Sequence, residues 1–286
     1  MTRYIAAYDT EHPNCPAACE KIVRVHREFE MPATFYLVGR HLRDHADHYR
    51  ALLDDPLFEI ASHTWSHKML KPHPICGSAV AGDELADEVI KGKQMVEDVF
   101  DRECLGLRPG CSFDDGLCNA PHVLELVEQA GYKYVSSLAW GPGYTLPAPL
   151  NQPRTYQADG YPDLWELPCH GWHDNVLTTD IATAGNHHFR VAWPITQPDI
   201  VPSGPVETPE QEAAVFNRMI DLAVEQQLPF VSLIWHPWSL DRFDPDMRMV
   251  RAVFDHVRDL GLPSGTYADL YHACVAGGAE AGTSKD

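Results

Sequence analysis

Leu57-Phe58-Glu59-Ile60-Ala61-Ser62-His63-Thr64-Trp65-Ser66-His67 sets two histidines four residues apart directly behind a short apolar run. A run of this length reads as a buried strand. If the strand gives way to a helical turn, residues i and i+4 share one face, within reach of one cation. Two neutral nitrogens rarely complete a catalytic metal site, so the pair asks for a third ligand, preferably an acid. The spacing is cheap by itself. The chain holds 16 histidines, and His41 with His45 repeats the interval.

Outward from this stretch, apolar runs alternate with amphipathic ones. Strands are expected at residues 5–8, 33–39, 58–62, 105–108, 134–138, 164–167 and 230–235. Helices are expected at 16–30, 45–53, 83–100, 121–130, 209–225 and 247–260. The helix at 209 carries both start signals, Thr208 as N-cap and Pro209 in its first turn. Strands alternating with helices indicate a parallel sheet. Six or seven such units without a Gly-x-Gly-x-x-Gly turn favour a barrel over a dinucleotide-binding sheet. Residues 139–163 and 176–208 read as long loops on one barrel, and 277–286 as a disordered tail behind a single domain of residues 1–276.

Composition narrows the partners. The chain has 286 residues, 44% of them hydrophobic and 22% charged, which is ordinary for a globular protein. A formal charge of −19 argues against nucleic acid or an anionic membrane as the main partner. No apolar run approaches the roughly 18 residues of a membrane span. Met1-Thr2-Arg3-Tyr4-Ile5-Ala6-Ala7-Tyr8-Asp9 has no signal-peptide pattern, so a cytoplasmic location is expected. On that basis the eight cysteines are expected to be free thiols. Cys15 and Cys19 have no matching pair for a zinc knuckle.

In a barrel of this kind, chemistry gathers at the carboxyl ends of the strands. Asp9-Thr10-Glu11 follows the first strand, His63 and His67 the third, and Arg108-Pro109-Gly110 the fourth. Glu166 to Asp174 follow the sixth, and His236-Pro237 the seventh. Acids, histidines and an arginine thus recur at five independent strand ends. His170, His173, His187 and His188 read as loop residues, and Trp140, Trp172, Trp193 and Trp238 as sugar-stacking or rim-packing candidates.

With these motifs in hand, the sequence resembles the polysaccharide deacetylases, the group with the NodB homology domain (carbohydrate esterase family four). The likeness spans about residues 4–270. His63-Thr64-Trp65-Ser66-His67 fits the His-(Ser/Thr)-x-x-His metal motif, and Met31 to Gly39 the second-strand signature. Ile234-Trp235-His236-Pro237 fits the closing Leu-x-His-Pro motif, with Ile for Leu. Arg108-Pro109-Gly110 approximates the third motif, its arginine one residue nearer the proline. Trp172 with Asp174 stands for the fourth, an aspartate near a tryptophan. The resemblance implies an α/β fold, a distorted (β/α)7 barrel similar to a TIM barrel.

One departure matters. The family's first motif has adjacent aspartates, a base and then a metal ligand, where this chain has Asp9-Thr10-Glu11. Threonine is a poor ligand for a divalent ion. Asp9 and Glu11 share one face of an extended strand, so either can reach a metal. Similar members with Asp-x-Asp favour Asp9 as base and Glu11 as ligand, with the reverse left open. The resemblance then implies a divalent ion on Glu11, His63 and His67. Zinc suits that set first, and iron, cobalt, nickel or manganese also fit. His236 would protonate the leaving nitrogen, and Arg108 would keep Asp9 ionised or orient it.

The implied activity is metal-dependent hydrolysis of a C–N amide bond, most simply in an N-acetylated sugar or small oligosaccharide. Without an export signal, a soluble substrate fits better than a cell-wall polymer. Two alternatives stand beside it. One is a cyclic imide or ureide amidohydrolase, since the resemblance extends to such enzymes; the other is a non-catalytic barrel that binds carbohydrate or metal.

Overall fold

Residues 1–178, 190–191 and 206–277 are described by the computed structural model. Seven apolar runs form its parallel strands: β1 (Arg3–Thr10), β2 (Ala33–Leu37), β3 (Phe58–Ser62), β4 (Gly106–Leu107), β5 (Tyr134–Val135), β6 (Tyr161–Glu166) and β7 (Phe230–Trp235). Their order is β7-β1-β2-β3-β4-β5-β6, every ladder parallel. Parallel strands covered on both faces need apolar side chains in succession rather than in alternation. All of β2 and β7 is buried accordingly.

The outer edge of β6 pairs with an antiparallel strand, Arg154–Tyr156, and beyond β6 one parallel bridge, His170 with Leu233, joins the chain to β7. There the His170 amide donates to the Ser232 carbonyl at 3.0 Å, and the Ser232 amide donates to Nδ1 of His170 at 3.1 Å. An imidazole thus takes the place of a ladder carbonyl.

Helices pack outside, their apolar faces turned to the sheet. The first is Cys15–Phe29, and Pro209–Glu225 starts as expected, with Thr208 Oγ1 accepting from the Gln211 amide at 3.3 Å. The expected helix 83–100 forms as Asp83–Ala86 and Gly92–Phe100, joined without a break by a π-helical turn, Asp87–Lys91. Short helices Gly39–Asp44 and Pro237–Phe243, and Tyr267–Ala276 with its Thr266/Asp269 capping box, are additions to the expected set. In the short strand β4, Gly106 lies under the Tyr134 ring: a Cβ there would sit 2.1 Å from that ring.

Two expectations fall largely outside the described residues, the tail beyond Gly277 and residues 179–189 and 192–205 of the second long loop. Among the described residues no helix is long and apolar enough to cross a membrane. The cysteine expectation needs correction, because Cys76 and Cys111 form a disulfide. They lie 35 residues apart in two rim loops, with Cα atoms at 6.8 Å, a proximity that sequence spacing does not signal. Cys15, Cys19, Cys104, Cys118, Cys169 and Cys274 are free.

Candidate active site

Register decides which side chains meet. Thr10 pairs with Leu37, Leu37 with Ser62, and Ser62 with Leu107. The residues just beyond, Glu11, His63 and Arg108, therefore emerge along one rim. On the other side of β1, Tyr8 pairs with Trp235, which brings His236 level with Asp9.

The pentapeptide at the end of β3 is not the helical turn expected. Thr64 and His67 both adopt left-handed backbone, at φ 63° and 65°, and the His67 amide donates to Thr64 Oγ1 at 3.0 Å. The outcome is nevertheless the expected pairing, with imidazole centroids 4.8 Å apart. Sequence reasoning missed what holds this loop. Glu88, buried on the π-helical turn, accepts from the Ser66 amide at 2.8 Å and the Lys68 amide at 3.4 Å, and also contacts the Ser66 hydroxyl. Gly92 lets the loop approach, since a Cβ there would lie 2.7 Å from Ser62 Oγ and 2.8 Å from the Thr64 carbonyl carbon.

Glu11 meets both histidines. Its Oε2 lies 2.7 Å from Nε2 of His67 and 3.5 Å from Nε2 of His63, and donor atoms of all three fall within 4.8 Å of one another. Nδ1 of His63 sits 2.8 Å from the Arg108 carbonyl, which can only accept. That bond places the imidazole proton on Nδ1 and leaves the Nε2 lone pair toward Glu11. Nε2 is buried without a hydrogen-bond partner. A buried, unpaired imidazole nitrogen beside a carboxylate and a second imidazole fits a divalent cation. Burial raises the Glu11 pKa, but the charge on His67 and its hydrogen bond outweigh it and hold the carboxyl well below its usual range.

Asp9 lies just behind. Its Oδ1 accepts from Arg108 Nη1 at 2.6 Å, while Oδ2 is 3.9 Å from Nε2 of His63. Burial raises its pKa, yet Arg108, with His236 beyond, brings it below the usual value. The Arg108 guanidinium is wholly buried. It lies 3.9 Å from the Tyr36 ring centroid and donates from Nη2 to Ser136 Oγ at 3.1 Å and Cys169 Sγ at 2.9 Å. Removal from water penalises this cation, but Asp9 more than compensates and it stays charged.

His236 faces Asp9 across the rim. Asp174 Oδ1 lies 2.6 Å from its Nδ1 and accepts from its amide at 3.1 Å. Burial lowers the imidazole pKa, but Asp174 dominates and raises it to about 10. Asp174 is buried in the short helix Asp174–Leu177, the weakest of the sequence signals. Beside the pair, His173 is neutral, its pKa lowered to about 4 mainly by burial, and its ring stacks on His236 with centroids 6.3 Å apart.

Asp9, Glu11, His67 and His236 open into one cavity of about 120 Å³, walled by Trp140, Val176 and the Cys76–Cys111 disulfide. All six sequence-predicted residues are therefore at one rim. Trp172 is buried, and Trp140, mostly buried as well, lines this cavity. His170 serves the β6–β7 join, and His187, His188 and Trp193 lie outside the described residues.

The family model described as polysaccharide deacetylase matches residues 6–135. No curated protein matches the chain. Among solved structures, a candidate polysaccharide deacetylase from Mycobacterium smegmatis aligns with a TM-score of 0.65 at 16% identity, over 100% of this chain and 94% of that one. A family 4 carbohydrate esterase from Streptomyces lividans, solved with acetate, gives 0.54 at 10% identity, covering 92% of each. Puue allantoinase gives 0.60 at 11% identity, over 96% of this chain and 90% of that one. At such identities these likenesses concern the fold.

Proposed function

We propose, from a chain whose residues 6–135 match the polysaccharide deacetylase family model, that it hydrolyses the C–N bond of an amide, most simply an N-acetylated sugar or small oligosaccharide. The observation that carries this reading is the buried, unpartnered Nε2 of His63 beside Glu11 and His67, with Asp9 and His236 on either side. Glu11, His63 and His67 would hold one divalent ion, zinc first by ligand type. Such an ion supplies Lewis acidity for a carbonyl oxygen and acidifies water.

The other roles belong to the protein. Arg108 occupies Oδ1 of Asp9, so Oδ2 is the oxygen left to take a proton from the attacking water. Asp174 holds Nδ1 of His236, so the Nε2 proton is the one available to the departing nitrogen. An amide nitrogen leaves only as an amine, and a cationic imidazole provides that proton. Water and amide give one carboxylic acid and one amine.

A cyclic imide or ureide is the second reading. It is favoured by the small cavity, about 120 Å³ and bounded by a covalent crosslink, and by the fold shared with Puue allantoinase. Metal analysis and hydrolysis assays on one preparation, with N-acetylated oligosaccharides beside cyclic imides, test both. Release of acetate with about one ion per chain is expected. Ring opening alone selects the second reading, and turnover of neither class, with metal bound, leaves a binding barrel.

A further inference from the structure

Glu11 stands where an aspartate is the shorter choice, and its extra methylene gives the carboxylate another torsion to fix. The chain meets this need from an unexpected place. Trp238, two residues beyond His236, donates from Nε1 to Oε1 of Glu11 at 3.3 Å. The other oxygen, Oε2, is the one that faces His67 and His63. The indole is itself held: the His12 ring lies 5.6 Å from it, the Arg242 guanidinium 5.3 Å and the His236 ring 6.2 Å. Pro237 opens the helix Pro237–Phe243 directly behind His236, so one turn presents both the imidazole and the indole.

We infer that Trp238 is a positioning residue for the metal centre: its indole N–H fixes the rotamer of Glu11 so that one oxygen is committed to the cation. This rests on the reading of Glu11, His63 and His67 as ligands. It gives Trp238 a task other than stacking on sugar. Groups that orient a ligand in this way commonly alter metal affinity by about 10- to 100-fold.

The test is zinc affinity, measured on the full chain by competition with a chromophoric chelator, after the melting temperature of each metal-free variant is known. Trp238→Phe keeps a ring between His12 and Arg242 but has no N–H, and should weaken zinc binding by about 10-fold or more. Trp238→His keeps a ring N–H and should recover part of that loss. In a Glu11→Asp background the shorter carboxylate is out of the indole's reach, so Trp238→Phe should change affinity by less than about twofold. Unchanged affinity in Trp238→Phe overturns the inference, as does an equal loss in both backgrounds, which would mark simple packing. If Trp238→Phe fails to fold, Trp238→His binding zinc no better than Trp238→Ala overturns it instead. A wild-type chain that binds no zinc removes the metal reading itself, and the inference with it.

Discussion

Asp9 and Glu11 point from one strand end into one cavity but have different partners: a guanidinium for Asp9, two imidazoles for Glu11. That division yields opposite expectations for two conservative changes. Glu11→Gln should lose most zinc affinity, whereas Asp9→Asn should keep it and lose turnover by about 100-fold or more. Zinc analysis beside single-turnover rates reads both; loss of metal from Asp9→Asn alone would exchange the roles. Asp174→Asn should lower kcat far more than it raises KM, because it leaves the cavity lining in place and weakens the hold on the His236 proton. A change confined to KM would make His236 a substrate-binding group. The sequence made these residues visible because strand ends concentrate chemistry. It hid Glu88, and it showed Trp238 as a stacking or packing candidate but not its bond to Glu11; these contacts depend on a π-helical turn and a side-chain direction that no local pattern encodes.

Elements were legible wherever periodicity was sustained. The strands at Phe58–Ser62 and Phe230–Trp235 and the helix Pro209–Glu225 fall at their expected bounds. Helix Tyr267–Ala276 was missed although Tyr267, Leu270, Tyr271, Cys274 and Val275 repeat at helical spacing, and Pro237–Phe243 because it is too short to show a period. The left-handed turn at His63–His67 was misread because φ at Thr64 and His67 is imposed from outside, by Glu88 and the Gly92 approach. Helix Pro209–Glu225 also carries a pH-sensitive burden. Glu212 is buried, and burial, followed by repulsion from Asp174 and Asp244, pushes its carboxyl up to about 9 from 4.5. The folded chain therefore binds one more proton than the unfolded chain between those pH values, and stability falls as pH rises through that window. Glu212→Gln removes the titration. Its stability advantage over wild type should widen by up to about 1.4 kcal/mol per pH unit across the window. Melting curves with a constant offset from pH 5 to pH 9 would sink this expectation.

At the scale of the molecule, alternation of strand and helix was enough to place the parallel barrel, and nothing in it announced the crosslink. Cys76 and Cys111 come from loops of different β/α units and meet only because the barrel brings their rims together. A covalent tie closing a 35-residue interval is worth about 3 to 4 kcal/mol in the chain-entropy account. Cys76→Ser with Cys111→Ser should accordingly lower the melting temperature by several degrees, and reductant should reproduce the shift in the wild type but not in the variant. Identical curves with and without reductant would mean that the tie contributes nothing to stability. The seam at His170 carries a different consequence. Seven strands are sewn into a ring with one stitch between β6 and β7, and a second fastening lies close by, where Asp174, beyond β6, grips both the ring and the amide of His236, beyond β7. Parting that join would pull the carboxylate from the imidazole, so it also acts as a safety catch: a barrel opened there is one whose acid has been disarmed.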